Sequence, residues 1–135
     1  MAVVAADNFN RSNGSLLSST MSDGTNTWAS SASAGTWSIS SNQLSKTSTS
    51  GMIDCSSMSN LADGYCQVTA SAADSGVILR WTDADNFYMA YNAFASALLK
   101  IYKVYGGSWS QIGSSGSAVA NGSVIRLECE SNALR

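Results

Sequence analysis

Residues 98–113 have the sequence LLKIYKVYGGSWSQIG. Strand-forming residues flank Gly106-Gly107 on both sides, and a pair of glycines is a preferred two-residue turn of a β-hairpin. Closing the hairpin at this turn sets Val104 opposite Trp109 and Ile101 opposite Ile112, so that apolar side chains face one another. The stretch therefore predicts two antiparallel strands, 98–105 and 108–113.

Strand patterns continue on both sides of this hairpin. Further strands are predicted over residues 3–9, 36–40, 43–47, 65–70, 76–82, 86–92 and 124–130, with a loop at 92–96. Because these strands follow one another closely, with glycine-containing turns and no clear helical period, we expect an all-β fold, an antiparallel β-sandwich or jelly roll. The length of 135 residues fits a single domain spanning 1–135.

Composition excludes several classes of function. The chain contains no histidine, which removes Ser-His-Asp and Cys-His catalysis and every histidine-based metal site. Its net charge is −2 and its seven basic residues are scattered, whereas a nucleic-acid binder needs a clustered basic face. No apolar run approaches the roughly 20 residues of a membrane span. The first residues lack a basic region, so we expect no signal peptide.

The three cysteines, Cys55, Cys66 and Cys129, are odd in number and lack a C-x-x-C spacing. A disulfide framework or a zinc site is therefore disfavoured. Alternation in the strands puts Cys66 and Cys129 on apolar faces. We expect each cysteine to be a small buried apolar residue.

Several short motifs follow one another in a definite order along the chain. They are residues 7–16 (DNFNRSNGSL), Trp28, 35–44 (GTWSISSNQL), 76–81 (GVILRW), 85–88 (DNFY), 99–104 (LKIYKV), 107–109 (GSW) and 124–128 (VIRLE). Their order and spacing resemble those of concanavalin-like (laminin-G-like) jelly-roll domains, which often occur in phage structural proteins and bacterial surface proteins. The resemblance implies a sandwich fold and carbohydrate binding or attachment, without naming a ligand.

Domains of this family usually continue beyond the strand at 124–130 with further closing strands, whereas this sequence stops at Arg135. Residues 131–135 are expected to be too short for another full strand, which leaves the sandwich incomplete at its C-terminal side. Since an open sheet edge is a pairing hazard, we expect either a fragment or a neighbouring chain that supplies the pairing. The expected partner is another copy of the protein or a virion protein.

Aromatic side chains are the best candidates for ligand contact, because the flat C–H faces of sugar rings stack on them. The candidate ligand-binding residues are Arg80, Trp81, Tyr88, Tyr102 and Trp109. Trp28 and Trp37 are expected to be core anchors instead. Arg80, in the middle of a strand, is either a paired half-buried ion or a ligand clamp.

The hairpin at 76–92 is apolar on both sides. If Thr82 pairs with Phe87, Trp81 and Tyr88 share one side of the hairpin, and Phe87, Met89 and Tyr91 share the other. One side then faces the core, and the other faces a partner or a groove. The pattern leaves open which side is which.

Acidic residues suggest two further kinds of site, both disfavoured. Glu128 and Glu130 lie about 6–7 Å apart on one strand face, within the range of inverting glycosidases, but Arg126 on that face favours surface charge pairing. The turn that contains Asp83, Asp85 and Asn86 offers about three of the six to eight oxygens that calcium takes, so an Asx turn is favoured over a metal site. We expect no catalytic residue, no metal and no cofactor.

These patterns favour a non-catalytic structural protein of a phage virion, either a capsid decoration (cement) protein or a tail-fibre attachment domain. Its partners would be other copies, virion proteins and cell-surface glycans, and its location the virion, after synthesis in the host cytoplasm. The alternative is a carbohydrate-binding module of a larger secreted bacterial protein, located outside the cell. A glycoside hydrolase or lyase is a third, less favoured class, because the dense acidic strand motif of such enzymes is absent.

Overall fold

The computed structural model describes residues 5–30, 36–46, 53–55, 63–70, 75–92, 98–131 and 133–135. These residues form β-strands, turns and loops without a helix, which confirms the predicted all-β fold. None of them belongs to a helix that is long and apolar enough to cross a membrane. The strands are β1 (Gly14–Ser15), β2 (Trp28–Ser30), β3 (Trp37–Ser40), β4 (Gln43–Lys46), β5 (Ile53–Cys55), β6 (Gly64–Thr69), β7 (Gly76–Asp83), β8 (Asn86–Asn92), β9 (Leu99–Tyr105), β10 (Ser108–Ile112), β11 (Val124–Glu130) and β12 (Ala133–Leu134).

Contacts within the chain define two compact units, Met1–Ser59 and Asn60–Arg135. All described strand pairs in both units are antiparallel. The single domain expected over residues 1–135 remains a prediction. The loop expected at 92–96 lies, apart from Asn92, outside the described residues.

The first unit contains a sheet with the strand order β1-β3-β4 and a pair, β2-β5. The predicted hairpin β3–β4 is confirmed, with Ser40 opposite Gln43. The intervening Ser41 and Asn42 both have positive φ, at 52° and 60°, which is the geometry of a tight type I′ turn. The buried apolar residues of the first unit include Leu16, Met21 and Ile39.

The strand expected at residues 3–9 is wrong over its described part, which has no regular secondary structure. Asp7 Oδ1 accepts a hydrogen bond from the backbone N–H of Phe9 at 2.9 Å, and Asn8 Oδ1 accepts one from Asn10 at 2.9 Å. Short Asp and Asn side chains compete in this way for the N–H groups that a sheet would need.

Asp7 also ties the N-terminal segment to Trp28. Its carboxylate, 1% exposed, accepts two hydrogen bonds from the guanidinium of Arg11, at 2.7 and 2.9 Å, and one from Trp28 Nε1 at 2.6 Å. Phe9 stacks on Trp28, with ring centroids 5.9 Å apart. Trp28 is therefore half-buried and held by polar and stacking contacts. Trp37 is also half-buried rather than fully enclosed.

The second unit is a sandwich of two sheets, with strand orders β10-β9-β8-β7 and β12-β11-β6. Alternate residues of β6, β7, β8 and β11 meet between the sheets. The buried cluster consists of Ala70, Val77, Leu79, Ala90, Ile125, Leu127 and Cys129. These contacts confirm the faces predicted for residues 65–70 and 124–130, and removal of this apolar area from water stabilises the sandwich. Antiparallel sheets packed in this way are compatible with a jelly roll.

The hairpin at 98–113 has the predicted register, with Val104 opposite Trp109 and Ile101 opposite Ile112. Both turn glycines have positive φ, 54° at Gly106 and 74° at Gly107. Residues with a side chain adopt that conformation at a cost, so the glycine pair explains why the chain reverses here.

Two expectations about the chain's later part have definite outcomes. Cys129 is buried in the core, as predicted, whereas Cys66 is only half-buried and packs against the core; the side chain of Cys55 is outside the described residues. The C-terminal residues form only the two-residue strand β12, consistent with the expectation that they are too short for a full strand; β12 pairs with the end of β11, and Arg135 exchanges two backbone hydrogen bonds with Glu128. The backbone groups of residues 133–135 thus find partners on the adjacent edge of β11.

Candidate functional site

One face of the four-stranded sheet, the face turned away from the core, carries a continuous row of aromatic rings. We call it the aromatic face; its rings are those of Trp81, Phe87, Tyr91, Tyr102 and Trp109. Neighbouring ring centroids are 5.4 Å apart for Trp81 and Phe87, 5.7 Å for Phe87 and Trp109, 5.8 Å for Trp109 and Tyr102, and 6.0 Å for Tyr102 and Tyr91. These are ordinary distances for attractive aromatic pairs.

The register of the strands places these rings side by side. Phe87, Val104 and Trp109 form one row across β8, β9 and β10. The next row along contains Met89 and Tyr102. Because residues two apart on a strand share a face, the rows stack into one surface.

The row across Phe87 has a buried floor and an exposed rim. Phe87 and Val104 are each 2% exposed, whereas Trp109 is 54% exposed. Trp81, Tyr91 and Tyr102 lie between these limits. A ligand would therefore meet the edges and faces of the outer rings rather than Phe87.

A β-bulge determines where Trp81 points. Leu79 lies opposite Tyr88 and Asp83 opposite Asn86, a shift that leaves three residues of β7 facing one residue of β8. Arg80, the first of the three, has a φ of 51°, in the left-handed region. A bulge of this kind redirects the side chains that follow it.

As a result, Trp81 packs against Phe87 on the aromatic face, while Tyr88 packs against the core on the other side. The prediction that Trp81 and Tyr88 share one side of the hairpin is therefore wrong. Phe87, Met89 and Tyr91 do share one side, as predicted. The side of the β7–β8 hairpin that carries Tyr88 is the one that faces the core.

Arg80 and Tyr88 line a groove of about 390 Å³ at the turn end of the same sheet, and Phe87 and Val104 also contribute to its lining. Lys103 and Tyr105 also line it, and the Lys103 ammonium lies 5.1 Å from the centre of the Tyr105 ring. Arg80 donates a hydrogen bond to the backbone carbonyl of Ser131 and lies 3.9 Å from the Asp63 carboxylate. Of the two roles expected for Arg80, the contacts support the paired, half-buried ion.

The structure thus separates the five sequence-predicted site residues. Trp81, Tyr102 and Trp109 share the aromatic face, whereas Arg80 and Tyr88 belong to the groove. Phe87 and Tyr91 were not among the candidates, and neither was Lys100, which lies opposite Tyr91 in β9. Alternation along β8 puts Phe87 and Tyr91 on one side of the hairpin, and alternation along β9 puts Lys100 on the side of Tyr102.

The oxygen-rich turn has the geometry of an Asx turn. Asp83 Oδ1 accepts hydrogen bonds from the backbone N–H of Asp85, at 2.9 Å, and from Asn86 Nδ2, at 2.8 Å. Asn86 Oδ1 in turn accepts one from Gly106 N–H at 3.2 Å. These oxygens connect the turn to the neighbouring hairpin.

The two glutamates of β11 are in ion pairs. Glu128 lies 3.1 Å from the Arg126 guanidinium, and Glu130 lies 3.4 Å from that of Arg135. The Arg126 guanidinium also lies 3.8 Å from the centre of the Tyr65 ring. The predicted charge pairing on this face is therefore present.

The aromatic face combines ring surfaces with few polar groups, a composition common in small-molecule sites. Its outer polar groups include Gln111, whose Nε2 donates to the Gly113 carbonyl at 3.1 Å. Strands β8, β9 and β10 contain no Asp or Glu. No family model, no curated protein and no solved structure matches the chain.

Proposed function

We propose that the protein is a non-catalytic glycan-binding β-sandwich and that the aromatic face is its binding surface. The observation that supports this most directly is the continuous row from Trp81 to Tyr91, outside the core and partly open to solvent. Sugar rings present flat patches of C–H groups, and indole and phenol rings offer matching surfaces. A row of several rings suits an oligosaccharide rather than a single sugar.

The edge-to-face contacts support the same proposal. Trp109 meets Phe87 at an interplanar angle of 87° and Tyr102 at 69°. Its indole is thereby held in one orientation before any ligand arrives. Such preorganisation lowers the entropic cost of binding.

The family resemblance of the sequence suggests where such a protein would work. Concanavalin-like jelly-roll domains often occur in phage structural proteins, and a capsid decoration or tail-fibre attachment role would use a glycan-binding face. A carbohydrate-binding module of a secreted bacterial protein would use the same face. Binding to glycans is shared by both roles, so it is the property to test first.

A glycan array with the purified chain, followed by titration of any ligand found, tests the proposal. We expect Trp109→Ala to bind about tenfold more weakly, because truncation of an aromatic anchor commonly costs more than 1 kcal/mol. Tyr105→Ala is the matched control, since Tyr105 is 71% exposed and lies on the groove side. Absence of binding to every glycan, or equal losses in the two variants, would contradict the proposal.

The claim that the protein is non-catalytic is tested separately, by measuring whether incubation with the protein releases new reducing ends from any glycan that binds. We expect no turnover. Hydrolysis that disappears in Glu128→Gln or Glu130→Gln would show that β11 carries an active site instead.

A further inference from the structure

Lys100 brings a positive charge to the aromatic face. It lies in β9 opposite Tyr91 and two residues before Tyr102, so its side chain leaves the sheet on the same side as these two rings. No described hydrogen bond or ion pair occupies its ammonium group. The other charged residue of β9, Lys103, lies on the opposite side and lines the groove beside Tyr105.

The aromatic face offers more hydrogen-bond donors than acceptors; its acceptors are the hydroxyl groups of Tyr91 and Tyr102 and the side-chain carbonyl of Gln111. A lysine ammonium has three N–H donors and no acceptor, and an indole N–H only donates. Because β8, β9 and β10 contain no Asp or Glu, the carboxylate acceptors that commonly bind sugar hydroxyls are missing from these strands. A ligand that is itself rich in acceptors fits this arrangement better than a neutral sugar does.

We propose that the aromatic face selects glycans that contain uronic acid, with Lys100 pairing the sugar carboxylate while the neighbouring rings stack on the sugar. This inference rests on the proposed glycan-binding function and narrows it to one ligand class. A carboxylate accepts hydrogen bonds without donating any, and its charge complements the ammonium. The net charge of the chain is −2, so attraction of a polyanion must come from this local cation rather than from the overall field.

The test compares acidic glycans with their own neutral counterparts. Polygalacturonate, alginate and hyaluronan oligosaccharides are each titrated beside the carboxyl-reduced form, which keeps the linkages and loses the charge. We expect at least one acidic glycan to bind. Its carboxyl-reduced form should bind about two- to fivefold more weakly, the range expected for a solvent-exposed ion pair. Raising the salt concentration should reduce the difference, because salt screens exposed charges.

Two variants of the same strand identify the residue responsible. In Lys100→Gln the preference for the acidic form should disappear, whereas in Lys103→Gln, an identical change on the opposite side, it should remain. Binding to neutral glycans alone, equal binding to acidic and reduced forms, or loss of preference in Lys103→Gln would overturn the inference while leaving glycan binding intact. Absence of binding to acidic and neutral glycans alike would overturn both proposals.

Discussion

Trp109 and Phe87 meet edge to face, with ring centroids 5.7 Å apart and planes at 87°. They lie two strands apart, separated by Val104 in β9, and they differ in exposure: Phe87 is 2% exposed and Trp109 54%. The pair therefore joins a buried side chain of the sheet to one that a ligand can reach. This division of roles makes stability and binding separable by mutation.

Phe87→Ala should be far more destabilising than Trp109→Ala. Loss of a buried phenylalanine leaves a cavity and costs about 3–5 kcal/mol of unfolding free energy. Loss of the half-exposed indole removes mainly its aromatic contacts, worth about 1 kcal/mol. Urea unfolding followed by circular dichroism measures both values, and equal losses would contradict the assignment of Phe87 as the floor of the aromatic face.

Gly76→Ala should disturb the aromatic face at the Tyr91 end. A Cβ atom on Gly76 would lie 2.5 Å from Tyr91 Cβ and 2.7 Å from the Ala90 carbonyl oxygen. Either β7 or Tyr91 must move, at a cost of about 1–3 kcal/mol. Gly64→Ala is the control, because no atom of the described residues lies within 4 Å of a Cβ placed there. Comparable thermal stabilities of the two variants would refute the close approach of β7 to β8.

Asp7→Asn should destabilise the unit Met1–Ser59. The Asp7 carboxylate is 1% exposed and receives hydrogen bonds from Arg11, Trp28 and Phe9, so its loss leaves the Arg11 guanidinium without its ion-pair partner. Because the Arg11 side chain is 27% exposed, we expect this loss to cost about 1.5–3 kcal/mol, the range for hydrogen bonds to a charged group. Glu130→Gln, in a pair whose side chains are about two-thirds exposed, should change stability by less than about 1 kcal/mol. Chemical denaturation of both variants decides between these outcomes.

The same unit should lose stability at acid pH. Burial alone raises the pKa of Asp7, but hydrogen bonds from Arg11, Trp28 and the Phe9 backbone lower it below the ordinary value of 3.8. Backbone and side-chain N–H groups of Asn26, then Thr25, lower the pKa of Asp23 as well, against a smaller effect of burial.

Groups with a lowered pKa stabilise the folded state fully above their ordinary pKa, and this contribution is lost as the pH falls through the folded-state pKa. Melting temperatures should therefore be level above about pH 5 and decline below pH 4. The decline should be shallower in Asp7→Asn, since that variant no longer binds a proton there. A decline that is unchanged in Asp7→Asn would show that other groups control the acid transition.

The local sequence pattern was sufficient to predict most strands of the second unit and their buried faces. The Gly106-Gly107 turn predicted the hairpin and its register, because closing a two-residue turn there puts Val104 opposite Trp109. The inward side of β11 was likewise predictable, since a side-chain period of two admits a single apolar face. Both results depend on residues close together in the chain.

Local pattern failed where a competing contact came from further away or from an irregularity. Residues 3–9 were predicted to form a strand, yet the Asp7 carboxylate is held by Arg11 and by Trp28, 21 positions along the chain, and the described part of the segment forms no strand. Alternation also could not reveal the bulge at residue 80, because one strand's sequence does not show how many of its residues oppose each partner residue.

That bulge decides the candidate site. The aromatic residues are present in the sequence in any case, but strict alternation would put Trp81 with Tyr88 on the core side. The extra residues in β7 bring Trp81 next to Phe87 and complete the row across the sheet. Local composition and turn chemistry thus determined the strands and their apolar faces, while the gathering of five rings on one surface came from strand pairing, which joins residues far apart in the chain.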